Sequence, residues 1–133
     1  MGGRGSTRSG WEGMKQPLES GNWDLKSASA IDWSDANATP HEISRQEMDR
    51  VRDQFVASAE MANRAGFDMI ELHAAHGYLI SSFISPLSNV RIDEFGGSLD
   101  NRMRYPLEVF RAIRYVWPDS KPMAGPLLSF IHL

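Results

Sequence analysis

The chain has 133 residues, with 14 Lys and Arg against 17 Asp and Glu, a net charge of −3, and no cysteine. The acidic balance argues against a protein that coats nucleic acid, and the missing cysteine removes disulfides, thiolate metal sites, iron–sulfur ligation and cysteine nucleophiles from this stretch. With 41% hydrophobic residues a core is affordable, while no apolar run approaches the roughly 18 residues of a membrane span and the Gly-, Ser- and Arg-rich start is not a secretory leader, so a soluble, cytoplasmic protein that contacts neither membrane nor nucleic acid is expected.

Residues 1–43 read as loop. Six of the 11 glycines fall by Gly21, mixed with Ser and Thr, and no regular period emerges. Trp11, Trp23 and Trp33 also lie here; so many large aromatics predict a loop that packs on something. Residues 44–65 form the clearest helix. Ser44 and Glu47 make the S-x-x-E capping box. Met48, Val51, Phe55, Ala59 and Ala62 then follow in steps of three and four, opposite Asp49, Arg50, Arg52, Asp53, Glu60 and Arg64. Gly66 stands where a left-handed residue stops a helix.

Residues 67–75 (FDMIELHAA) suit a buried parallel strand following a helix. Residues 76–97 read as an active-site loop with one short helical turn near Ser81–Ile84, punctuated by Pro86 and Asn89. Residues 98–117 are a second helix, with Leu107, Phe110, Ile113 and Trp117 on one face. Pro106 conflicts with it, so either the helix kinks there or its regular part begins near Tyr105. Lys121-Pro122-Met123 could open another strand. This order is an α/β alternation and predicts a parallel sheet.

Three glycine motifs fail. Gly3-Arg4-Gly5 lacks the third glycine of a dinucleotide loop, Trp11-Glu12 follows Gly10 where a phosphate loop needs Lys-Ser/Thr, and Gly96 to Asp100 lacks the closing glycine of a nucleophile elbow. The informative run is His73-Ala74-Ala75-His76-Gly77-Tyr78, at the C-terminal end of the expected strand, the end that carries chemistry in α/β folds. Three readings stay open for it. The histidines are partly buried and bonded to backbone; or they hold a metal, although no third ligand is near; or they clamp one oxygen. In the last case two imidazole N–H groups would stabilise charge on a carbonyl or anionic oxygen, and Tyr78, protonated at neutral pH, would serve as a general acid. Such a site suits reduction of an activated alkene, with hydride from a cofactor. The stretch from Ser85 to Arg104 is either an exposed charged loop or one held by Arg91, Arg102 and Arg104 against Asp93, Glu94 and Asp100.

Together these two stretches resemble the Old Yellow Enzyme family of FMN-dependent NAD(P)H oxidoreductases. The family pattern H-A-A-H-G-Y-L is met by His73 to Leu79, and S-P-L-S-N-x-R-x-D-x-[YF]-G-G-S-x-x-N-R-x-R-[YF] by Ser85 to Tyr105, with Phe95 where tyrosine is more usual. The likeness reaches back to about Gly3, where Gly3 to Thr7 is similar to a G-R-K-[GA]-[ST] segment without its lysine. It runs forward to about Met123. The Gly-Ser-Thr start, Trp11 and Gly21-Asn22-Trp23 resemble most the xenobiotic reductases and the reductase parts of aromatic-acyl-CoA hydroxylases.

The resemblance implies a partial (β/α)8 barrel, roughly from after strand three to strand five, of a fold that typically takes ~250 residues. It further implies FMN as cofactor, NADPH or NADH as reductant, His73 and His76 as substrate-binding residues, Tyr78 as the proton donor and no metal. Ser85 to Arg104 would support the site. Substrates would be small molecules of the enone, quinone or aromatic-acyl-CoA class, and a homo-oligomer is compatible. The family's flavin-contacting arginine after K-P-[ML] has no counterpart, residues 124–133 diverge, and the main FMN contacts are expected outside this chain. The alternative reading is a truncated, non-catalytic barrel remnant without bound flavin.

Overall fold

Ser44 starts the longest helix through a complete capping box. Its Oγ accepts the Glu47 N–H at 3.3 Å, and Glu47 Oε2 accepts the Ser44 N–H at 2.9 Å. The helix, α1, is Arg45–Arg64, just inside the expected 44–65. It ends at Ala65, and Gly66 follows with a φ of 84°. The computed structural model describes residue 18, residues 20–35 and residues 37–125. Trp11, the Gly3–Thr7 segment and the divergent residues 126–133 lie outside the described residues.

The stretch expected as loop over residues 1–43 contains two short strands. β1 (Lys26–Ser27) and β2 (His41–Glu42) pair in parallel, Lys26 with His41 and Ser27 with Glu42. Two-residue strands show no alternation to read; they exist because the ladder closes across the intervening loop. The capping residue ties this pair to the helix, since the Oε1 of Glu47 accepts from Lys26 Nζ and lies 3.1 Å from His41 Nε2.

The strand expected over residues 67–75 narrows to β3 (Ile70–Glu71), paired in parallel with β4 (Met123–Ala124). The Leu72 N–H donates to the Ala124 carbonyl at 2.8 Å and extends the ladder. The strand is buried on one side only. Met69 and Glu71 are exposed, whereas Leu72 and Ala74 are buried, the alternation that a pleated backbone imposes.

Two further helices complete the chain order: α2 (Leu79–Ile84) and α3 (Leu99–Val116). Ser98 caps α3, its Oγ accepting the Asn101 N–H at 3.3 Å. Pro106 lies inside α3, so the helix does not begin near Tyr105. The face expected from Leu107, Phe110, Ile113 and Trp117 is met at Ile113 and Trp117, which are buried, and at Phe110, which packs against the core, but it extends to the Tyr105 side and leaves Leu107 out. Leu107 is exposed, and Tyr105, Pro106, Val109 and Ile113 are buried. The reason is α1, which packs against the Tyr105 side: the buried Tyr105 hydroxyl donates to the Met48 carbonyl at 3.0 Å. Outside that seam, Arg45 and Arg52 of α1 both reach Glu108 of α3, at 2.7 and 2.9 Å. The core between them joins Met48, Ile80, Phe83, Tyr105, Val109 and Ile113.

Candidate active site

Beyond β3 the chain turns at His76 and Gly77, which both hold left-handed backbones, with φ of 58° and 74°. Glycine enters that region freely, whereas a histidine there costs about 1–2 kcal/mol. The turn is closed by the Tyr78 N–H on the Ala75 carbonyl at 3.2 Å and by the Gly77 N–H on Ser81 Oγ at 3.1 Å. Tyr78 is the first residue beyond it and the N-cap of α2.

This geometry gathers the three residues singled out in the sequence. The rings of His73 and His76 have centroids 5.1 Å apart, and those of His73 and Tyr78 are 5.2 Å apart, tilted at 44° and 55°. All three residues are exposed in this chain, Tyr78 at 40%. Among the described residues no three His, Asp or Glu side chains come together as a metal site. Two imidazoles and a phenol on one exposed spot can donate to a single oxygen and pass a proton beside it.

A rigid platform lies beneath the cluster. Every residue of α2 is buried, and a helix this short leaves most of its carbonyls without intrahelical donors. Side chains from the following loop and from α3 meet three of them in succession. Ser88 Oγ donates to the Ser82 carbonyl at 3.0 Å, Asn89 Nδ2 to Phe83 at 2.7 Å and Arg102 Nε to Ile84 at 2.7 Å. Buried Asn89 also donates to the Phe95 carbonyl at 2.8 Å and accepts the Arg91 N–H at 3.1 Å.

The arginines of this loop are used differently from the expected Arg–carboxylate set. Arg91 does pair with Asp93, at 2.5 Å, and the guanidinium holds that carboxyl below its usual range. Arg91 also donates to the Ala28 and Ile43 carbonyls, each at 3.0 Å. Arg102 instead binds the Ile84 and Gly97 carbonyls, and Arg104 binds Asn101 Oδ1 at 3.1 Å. Backbone carbonyls are acceptors that no residue letter announces, which is why these partners were not legible.

Sequence reasoning also missed Ser81 and Ser82. The residue letters assign them no role beyond the expected short helical turn, yet Ser81 closes the His76–Gly77 turn and Ser82 Oγ accepts the Ala28 N–H at 2.9 Å. A separate apolar cavity of about 230 Å³ is lined by Leu72, Ala74, Ile84, Met103, Pro106 and Phe110. Leu72 and Ala74 are buried and His73 between them is exposed, so this cavity lies on the other side of the extended backbone from His73.

The profile of the NADH:flavin oxidoreductase / NADH oxidase family matches residues 10–118. An NADPH dehydrogenase of Clostridium acetobutylicum is 50% identical over 95 residues, 71% of this chain and 28% of that protein. An NADPH dehydrogenase of Bacillus subtilis is 46% identical over 105 residues, 79% of this chain and 30% of that protein. The chain thus spans less than a third of the length of these curated relatives. Among solved structures, morphinone reductase in complex with tetrahydroNAD superposes with a TM-score of 0.72 at 30% identity, over 77% of this chain and 32% of that one. A 2-naphthoyl-CoA reductase complex gives a TM-score of 0.72 at 28% identity, over 77% of this chain and 16% of that one. These likenesses support an α/β barrel fold, to which the parallel β3–β4 pair and its flanking helices conform.

Proposed function

Since this chain belongs to the NADH:flavin oxidoreductase / NADH oxidase family, we propose that it carries the substrate side of an FMN-dependent NAD(P)H oxidoreductase of ene-reductase type. The observation that carries the reading is the exposed cluster of His73, His76 and Tyr78. The described elements correspond on this reading to the middle of the barrel, from after strand three to strand five.

The residues present fit the substrate side of a flavin site rather than the flavin phosphate. The cluster offers ring N–H and O–H donors, while Arg45, Arg52, Arg91 and Arg102 are engaged with carboxylates and backbone carbonyls. FMN, when bound, supplies the hydride for the β-carbon of an activated alkene. His73 and His76 donate to the carbonyl oxygen and stabilise the negative charge that grows there. Tyr78 delivers the proton to the α-carbon. The buried α2 platform and the His76–Gly77 turn hold the three rings in place, so little reorganisation is needed as charge develops. Enones, quinones and aromatic acyl-CoA compounds all present such an oxygen. The names of the relatives support NADPH as reductant, and the naphthoyl-CoA and tetrahydroNAD complexes support small-molecule ligands.

The test is the Tyr78→Phe variant, assayed with FMN, NADPH and 2-cyclohexenone. Loss of the phenol should slow alkene reduction at least about 100-fold, while NADPH oxidation by molecular oxygen continues. Equal alkene reduction by both proteins would overturn the reading. A second reading, a non-catalytic remnant without flavin, is favoured by β3 and β4, whose outer edges have no ladder partner among the described residues. A purified chain that stays colourless after incubation with FMN would support it.

A further inference from the structure

Trp33 stands out among the described tryptophans. Trp117 is 2% exposed and donates its Nε1–H to the Pro122 carbonyl at 3.1 Å, as a core tryptophan does. Trp33 is 54% exposed. Its Cζ3 lies 3.9 Å from the position that a Cβ on Gly77 would occupy, and Gly77 is the residue between His76 and Tyr78. The indole therefore lies against the turn that gathers the histidine and tyrosine rings.

This placement is built into the fold. The loop carrying Trp33 is anchored at its base to the platform of the site. Ala28 N–H donates to Ser82 Oγ at 2.9 Å, and Ser29 Oγ accepts the Val90 N–H at 3.1 Å. Turns within the loop follow, with the Ile31 N–H on the Ser29 carbonyl and the Asn37 N–H on the Ser34 carbonyl. Holding half of an indole in water forgoes apolar burial, and a flat ligand laid against it would recover that area.

We propose that Trp33 forms a wall of the substrate site and selects planar aromatic ligands over saturated rings of the same size. The inference rests on the assignment of His73, His76 and Tyr78 to substrate. Those residues hold an oxygen, which every candidate substrate offers, and so do not discriminate between ring types. An indole face does, because stacking rewards a flat π-system and a puckered ring meets it poorly.

The experiment measures binding of 2-naphthol and of decahydro-2-naphthol to the purified full chain by calorimetry. Trp33→Ala should weaken 2-naphthol binding about tenfold and leave decahydro-2-naphthol within roughly twofold. Trp33→Phe, which keeps a ring, should restore 2-naphthol to within roughly threefold of the parent. Trp23→Ala removes an equally exposed indole, 52% exposed, and should change neither. Circular dichroism confirms that each variant folds as the parent does. If His73→Ala weakens binding of both ligands but Trp33→Ala weakens neither, or weakens both equally, the wall is overturned and the substrate assignment stands. If the parent binds neither ligand, or His73→Ala changes nothing, the assignment itself falls and the inference with it.

Discussion

Ser82 Oγ accepts the backbone N–H of Ala28 at 2.9 Å, a bond that joins residues 54 apart and is wholly buried. It attaches the Trp33 loop to the helix that follows Tyr78. Replacing Ser82 by Ala leaves the Ala28 N–H without its acceptor. The expected cost is about 1–3 kcal/mol, read as a lower midpoint in urea unfolding with an unchanged slope. A midpoint equal to the parent's would show that the anchor contributes nothing.

Asn89 is the second buried joint. Its amide donates to two carbonyls and its oxygen accepts one N–H. Asn89→Ala should destabilise by about 2–3 kcal/mol. Asn89→Asp keeps the shape but turns a carboxylate oxygen toward the Phe83 and Phe95 carbonyls. It should therefore be worse than Ala near neutral pH and improve as the pH falls and the acid protonates. Thermal melts of the three proteins across pH check the order.

The two neighbouring glycines of the loop should behave differently. At Gly96 an added Cβ would meet the Arg91 carbonyl oxygen at 1.9 Å, a clash with backbone. At Gly97 nothing lies within 4 Å, and only the φ of 77° opposes a side chain. Gly97→Ala should cost about 1–2 kcal/mol. Gly96→Ala should cost more than about 3 kcal/mol or prevent folding. Denaturant titrations that rank them in the reverse order would contradict this account.

Acid should erode the stability that the junction of β1, β2 and α1 contributes. Lys26, with the backbone and hydroxyl of Ser44, holds the Glu47 carboxyl well below its ordinary value of 4.5. A carboxyl depressed in the folded state lends stability that is fully present above its unfolded pKa and is lost as the pH falls through the folded one. Asp93 and Glu108 are also depressed, by Arg91 and by Arg45, and add to the same trend. Stability should thus begin to fall as the pH drops below about 4.5. Glu47→Gln should start less stable at neutral pH and show a shallower decline. A parallel decline in both proteins would remove Glu47 from the explanation.

Local chemistry was legible in the linear order of residues. The capping box of Ser44 and Glu47 and the stop at Gly66 each act within a turn of chain, so their letters suffice. The His73, His76 and Tyr78 pattern is likewise short, and a turn of two left-handed residues is enough to gather its rings. What only the tertiary structure decided are relations between distant segments. β1 and β2 exist as a pair of two-residue strands closed across their intervening loop. α3 runs through Pro106 and turns Tyr105 toward α1. Arg91 and Arg102 bind backbone carbonyls as well as, or instead of, carboxylates. Trp33 comes to lie against Gly77, 44 positions away. Backbone acceptors carry no side-chain signature, and contacts across long loops leave no periodicity in the sequence. They are settled only when packing selects which of many chemically equivalent partners stand within reach.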